Sequence, residues 1–275
     1  MRNPFFRHAF PDLRGRTGRE SCMESGTNPA AGRKPEYALV LRDVRKSYGN
    51  REAVHGISLE VREGEVFGLI GHNGAGKTTT LRMISTILRI TSGTIEVCGY
   101  DVASEPERVR EIISYLPEDA GAYKDLTGRA YLEFISRFYA SGEAQKEMCA
   151  RGMEIADLGD RIDSKVDTYS KGMMRRLLIA RAVMPSPKLA ILDEVTSGLD
   201  VINAYEIREL IRDIAESGVT VVMSSHNMFE VESLCDRVAM MDHGSIILSG
   251  TPEELKQKSG SKSLEEVFVK AVKGE

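Results

Sequence analysis

From Tyr37 onward, Leu39, Leu41 and Val44, and then Ile57, Leu59 and Val61, alternate with polar residues, which predicts two half-buried β-strands. Val66, Phe67, Leu69 and Ile70 follow as an apolar run of the kind buried on both faces of a sheet. The period then lengthens, and Leu81, Ile84 and Leu88 predict a helix over Thr78–Leu88. Thr94–Cys98 and Ile112–Leu116 read as further strands. Helical spacing returns at Tyr131, Leu132, Ile135, Phe138 and Tyr139 and continues through Met148, Met153, Ile155 and Leu158. Residues 120–185 therefore read as a helical insertion in an α/β framework, with these aromatics and methionines as core. Beyond it come a helix closed by Pro185 and Pro187, a buried strand from Lys188 to Asp193, and a helix with Ile207, Leu210, Ile211 and Ile214 on one face. Val219–Ser225 is a further parallel-type strand. A helix at Met228–Cys235, short strands at Val238–Met241 and Ile246–Leu248, and two helices with capping-box sequences at Thr251–Glu254 and Ser263–Glu266 complete the pattern.

Composition narrows the possibilities. No apolar run approaches the roughly 20 residues that a membrane-crossing helix needs, so any membrane process must rely on another chain for the crossing. Lys plus Arg is 37 and Asp plus Glu is 41, a net charge of −4, which provides no global field for nucleic acid, and none is expected as a partner. Cys22, Cys98, Cys149 and Cys235 form no C-x-x-C pair and no zinc pattern, as suits a reducing cytosol. Residues 1–34, poor in aliphatics and carrying seven basic against three acidic residues, are expected to be a disordered tail, with the folded domain running from 35 to 275. Met23 opens a more ordinary lead into the domain, so residues 1–22 are expected to be either a dispensable tail or an artefact of start-site choice.

The chemistry begins where the third strand ends. Gly71-x-x-x-x-Gly76-Lys77-Thr78 has the spacing of a phosphate-binding loop: glycines let backbone N–H groups turn inward, and a helix N-terminus points at the same spot. Lys77 would reach terminal phosphates and Thr78 would give a hydroxyl to Mg²⁺. Tyr48, between the first two strands and near a loop, is either a packed surface aromatic or a stacking surface for adenine. Ser170 and Gly172 open a helix and offer an anion site. Asp193 and Glu194 end a buried strand as paired carboxylates, suited to holding Mg²⁺ and to taking a proton from attacking water. His226 closes another strand at the edge where open α/β sheets place ligand contacts.

In this order the motifs resemble those of ATP-binding-cassette (ABC) transporter nucleotide-binding subunits, over about residues 37–250. The resemblance implies a P-loop NTPase core with a mostly parallel sheet, an antiparallel β subdomain, an inserted α-helical subdomain over 120–185 and a helical extension over 251–275. It implies an adenine-stacking Tyr48, and a Walker A loop in which Gly71, His72, Asn73, Gly74, Ala75, Gly76, Lys77, Thr78 and Thr79 bind ATP. It further implies Mg²⁺ held by Thr78, Glu118 and Asp193, and catalysis by Glu194, His226 and Lys77. A signature at Ser170 and Gly172 would complete the site of a second cassette, identical or not. Glu118 stands where the family has glutamine, the signature reads YSKGM in place of LSGGQ, and Val195 replaces a common proline. The SKGM signature, the LPED loop and Leu264–Phe268 are similar to export-type single cassettes that pair with a separate permease at the cytoplasmic face of the membrane. The competing readings are a soluble cassette ATPase acting on DNA or ribosomes and a scaffold without turnover. The intact Lys77, Asp193 and Glu194 argue against the scaffold, and the chain length argues against long coiled coils or two cassettes.

Overall fold

The computed structural model describes residues 37–274, so the tail expected at 1–34, with Cys22 and Met23, lies outside the described residues. Two long strands, β1 (Tyr37–Tyr48) and β2 (Arg51–Arg62), are followed by β3 (Val66–Ile70) and α1 (Lys77–Ile84). Then come β4 (Ser92–Val97), β5 (Tyr100–Asp101), α2 (Pro106–Ile112) and β6 (Ile113–Leu116). Three helices, α3 (Gly128–Ser136), α4 (Gly142–Ala156) and α5 (Lys171–Val183), separate β6 from β7 (Leu189–Asp193). The chain finishes with α6 (Val201–Glu216), β8 (Thr220–Ser225), α7 (Met228–Leu234), β9 (Arg237–Asp242), β10 (Ser245–Gly250), α8 (Pro252–Ser259) and α9 (Leu264–Lys273).

The strands form two sheets, a four-stranded antiparallel one in the order β2-β1-β4-β5 and a six-stranded one in the order β10-β9-β3-β8-β7-β6. Within the larger sheet only the β9–β10 pair is antiparallel. This is the α/β arrangement of a P-loop NTPase. Its central strands β3, β7 and β8 are buried throughout because both faces are covered. Along β3, Val66 and Ile70 join one core with the helices, whereas Phe67 and Leu69 join a second core with α1 and the antiparallel sheet. Burying each such side chain contributes roughly 1.5–3 kcal/mol. Between them Gly68 leaves no room for a methyl: a Cβ there would lie 2.9 Å from both Cys235 Sγ and Val231 Cγ1, so α7 rests directly on β3.

Several local expectations change. The helix after the P-loop stops at Ile84, because Thr86 adopts φ +61° and the Ile87 and Leu88 N–H groups both turn back to the Arg82 carbonyl. The short helix α2 has no counterpart in the sequence reading. Tyr131 and Leu132 are core, but Phe138 and Tyr139 are exposed, because α3 ends at Ser136 and the helical period ends with it. Thr251 and Glu254 form the full reciprocal capping box. At Ser263 only half of it forms: the hydroxyl accepts from Glu266 N, while the Glu266 carboxylate accepts from Lys262 N at 2.8 Å.

Candidate functional site

The site is built where β3, β7 and β8 end together. Parallel register sets Ile70 beside Ser225 and Asp193 beside Ser224, so the loops that follow these strands share one edge. The loop after β3 curls tightly under the β9–β10 turn. A Cβ on Gly71 would fall 2.3 Å from the Met241 carbonyl oxygen, and Gly76, at φ +105°, takes a left-handed conformation that a larger residue would strain. From Gly76 the chain enters α1, whose first-turn N–H groups lack intrahelical acceptors. They open onto a cavity of about 750 Å³ lined by Asn73, Gly74, Gly76, Lys77, Thr78 and Thr79.

The same cavity is walled by Tyr48, Glu118 and Glu194. Tyr48 is half-exposed, and the Lys46 ammonium lies 5.1 Å from its ring centroid. The buried Lys77 ammonium donates to the Gly71 carbonyl at 2.7 Å and to that of His72 at 3.3 Å, and lies 3.3 Å from Glu194 Oε1. Glu194 Oε1 is buried and has no hydrogen-bond partner among the described residues, while Oε2 meets His226 Nδ1 at 2.8 Å. Glu194 itself sits at φ +49°, unusual for a residue with a side chain. Its N–H donates to Ser224 Oγ at 3.0 Å, which helps hold that conformation.

Asp193 is 1% exposed and gathers three hydroxyls. Oδ1 accepts from Ser224 Oγ and, at 3.3 Å, from Thr78 Oγ1; Oδ2 accepts from Tyr115 OH at 3.3 Å. Burial, reinforced by the Asp193 carboxylate, pushes the Tyr115 phenol up to about 12, so it stays a neutral donor. Thr78 and Asp193 thus present adjacent oxygens beside the phosphate loop, the donor type a Mg²⁺ ion takes. A buried carboxylate oxygen without a hydrogen bond, beside a lysine at a glycine-lined loop, fits a triphosphate with its metal and attacking water.

Ser170 and Gly172 are not brought to this cavity. Ser170 caps α5 by accepting from Met173 N. Gly172 packs on α6, where a Cβ would fall 1.9 Å from Asn203 Oδ1, and Asn203 is in turn bonded to Asp200 through its backbone and side chain. The two segments on either side, Ser170–Gly172 and Ser197–Asp200, are therefore fixed to each other.

Sequence reasoning missed Ser224 and Tyr115, which hold Asp193, and Arg51, His55, His243 and Gly244, which complete the cavity wall. A hydroxyl at the end of a buried strand was the only signal for Ser224. The turn residues gave none, because they enter the site through sheet order.

The chain matches the family described as ABC transporter over residues 54–197. It is 38% identical over 236 residues to the Bacillus subtilis linearmycin resistance ATP-binding protein LnrL, covering 85% of this chain and 76% of that protein. It is 39% identical over 232 residues to the Streptomyces peucetius daunorubicin/doxorubicin resistance ATP-binding protein DrrA, covering 84% and 70%. Among solved structures, an ATP-binding subunit of an ABC transporter superposes with a TM-score of 0.76 at 28% identity, covering 86% of this chain and 99% of the other. CbiO1 from Clostridium perfringens, part of the cbiONQ transporter complex, gives 0.75 at 26% identity, covering 82% and 92%.

Proposed function

Because the chain belongs to the ABC transporter family and is an ATP-binding, ATP-hydrolysing transporter subunit, we propose that it is one of two cassettes that drive an export permease, with its site residues in the following roles. The convergence of Lys77, Glu194 and His226 carries this reading. The Lys77 ammonium takes the terminal phosphates, whose anionic oxygens compete with the carbonyls of Gly71 and His72 and with Glu194. Drawing the lysine away leaves Glu194 Oε1 unpaired and basic, positioned to take a proton from the attacking water. His226, bonded to Oε2, fixes the carboxylate and senses the γ-phosphate. Thr78 and Asp193 would hold Mg²⁺, with Glu118 reaching in from the cavity wall; the ion supplies charge neutralisation on the phosphates. The free face of Tyr48 stacks on adenine.

Ser170 and Gly172 then serve the site of a second cassette facing head to tail. Their placement away from this chain's own cavity supports that role. Hydrolysis removes the phosphate charge bridging the pair and shifts the dimer toward separation. Among the described residues no helix is long and apolar enough to cross a membrane. The partner that crosses it would meet the exposed aromatics Tyr123, Phe134, Phe138 and Tyr139, three of which form an edge-to-face row. Exporter function is supported by relatives named for drug resistance. This would place the chain at the cytoplasmic face of the membrane, and cargo choice would rest with the permease.

The test is phosphate release by the purified chain with and without its co-purified permease in detergent. Release that depends on Glu194 and is stimulated by a multi-span partner supports the proposal. Release that is indifferent to Glu194→Gln sinks the assigned base, and failure to retain any membrane protein sinks the pairing with a separate permease.

A further inference from the structure

At the lip of the phosphate cavity, a cluster of nitrogen and oxygen donors joins two separate segments. His72 in the loop before α1 faces Asp242 and His243 in the β9–β10 turn, and one ligand-capable atom from each lies within 4.8 Å of the other two. His72 Nε2 is 2.7 Å from Asp242 Oδ1, and Nδ1 is 2.7 Å from the Asn73 carbonyl oxygen. A carbonyl only accepts, so Nδ1 carries the proton; in the neutral ring this leaves the Nε2 lone pair facing a carboxylate. Two lone pairs at that distance require a cation, either a second ring proton or a metal.

His243 points to the metal. Its ring meets that of His72 edge-on with centroids 5.3 Å apart, and its Nε2 lies 3.9 Å from the same Asp242 oxygen. A proton shared by His72 and Asp242 has no use for this third donor, whereas a metal does. A backbone acceptor on the ring nitrogen away from the metal is also what orients histidine ligands.

We propose that His72, Asp242 and His243 bind a zinc-class divalent cation. Two imidazoles and a carboxylate can supply three positions of a tetrahedron and leave the fourth for water, once the 2.7 Å pair opens and the 3.9 Å pair closes toward the roughly 3.3 Å that tetrahedral ligands keep. The donor set separates this site from the magnesium position, since Mg²⁺ takes oxygen ligands. The ion would clamp two segments already joined where Gly244 N donates to the Ala75 carbonyl at 2.9 Å.

The test uses the full chain stripped of metal. Titration with Zn²⁺ against a chromophoric chelator is expected to show one ion per chain, undisturbed by millimolar Mg²⁺. Asp242→Asn and His243→Ala should each weaken binding by about tenfold or more. Co²⁺ in place of zinc should give visible d–d absorption without a thiolate charge-transfer band. Thermal unfolding without metal checks that the variants fold, and His243→Gln replaces any that do not. Zinc affinity unchanged in these variants, displacement by Mg²⁺, a thiolate band, or no binding at all would each overturn the proposal.

Discussion

The loop and strand ends around Lys77 contrast with the helix start around Gly172, although both are built from small residues at the opening of a helix. Around Lys77, ionisable and polar groups gather at the strand ends and answer one another: buried Lys77 lies against buried Glu194, Glu194 against the half-exposed His226, and Asp193 accepts from three hydroxyls. Around Gly172 the contacts are packing and capping, with Asn203 filling the space a side chain would need. Burying charges together costs desolvation that only mutual pairing offsets, so the first region is specified within one chain. The second is fixed in shape but brings no charge of its own chain into the cavity. Under the proposed function the first region does the chemistry and the second faces another cassette.

The largest expected effect breaks the first region. Lys77→Ala should reduce phosphate release to background and abolish binding of a fluorescent ATP analogue, because the loop loses its cation. Glu194→Gln comes next: turnover should fall by about a hundredfold or more while ATP binding persists. An ATP-dependent dimer should then accumulate on size-exclusion chromatography.

A smaller effect sharpens the comparison by touching only the second region. Gly172→Ala forces a methyl against Asn203, and should leave ATP binding to the single chain intact while lowering ATP-driven dimerisation by roughly tenfold, about 1.4 kcal/mol. Ser170→Ala should cost about 1 kcal/mol of stability through the lost helix cap. Ser170→Asp keeps a capping oxygen, so stability recovers, but it sets a charge against the partner's phosphates. If both Ser170 variants dimerise with ATP as the wild type does, the second region has no role across the dimer.

The smallest effect concerns Tyr115. Its folded value, about 12, lies above the ordinary 10, so the unfolded chain loses this proton first as pH rises. Its contribution to stability is therefore complete below pH 10 and declines as pH rises toward 12. Tyr115→Phe should flatten that part of the stability curve, measured by denaturant unfolding at each pH.

What the sequence revealed follows the reach of local pattern. The P-loop, the Asp193–Glu194 pair and His226 each sit where an apolar strand gives way to polar residues, so their position relative to the sheet was readable residue by residue. Ser224 was not, because it matters only once parallel pairing places it beside Asp193. His243 and Gly244 were invisible for the same reason: β9 reaches β3 across more than 160 residues of chain. Phe138 and Tyr139 show the opposite error, in which helical spacing was extended past the end of the helix and turned surface into core.

The missing side chain at Gly68 has a mechanical meaning. The helix following His226 lies flush on the strand feeding Lys77, with Cys235 and Val231 occupying the space where any larger residue would force a gap. That seam makes the phosphate-holding loop and the histidine segment parts of one stator. A spacer at Gly68 would open that seam and loosen the tie between the two segments.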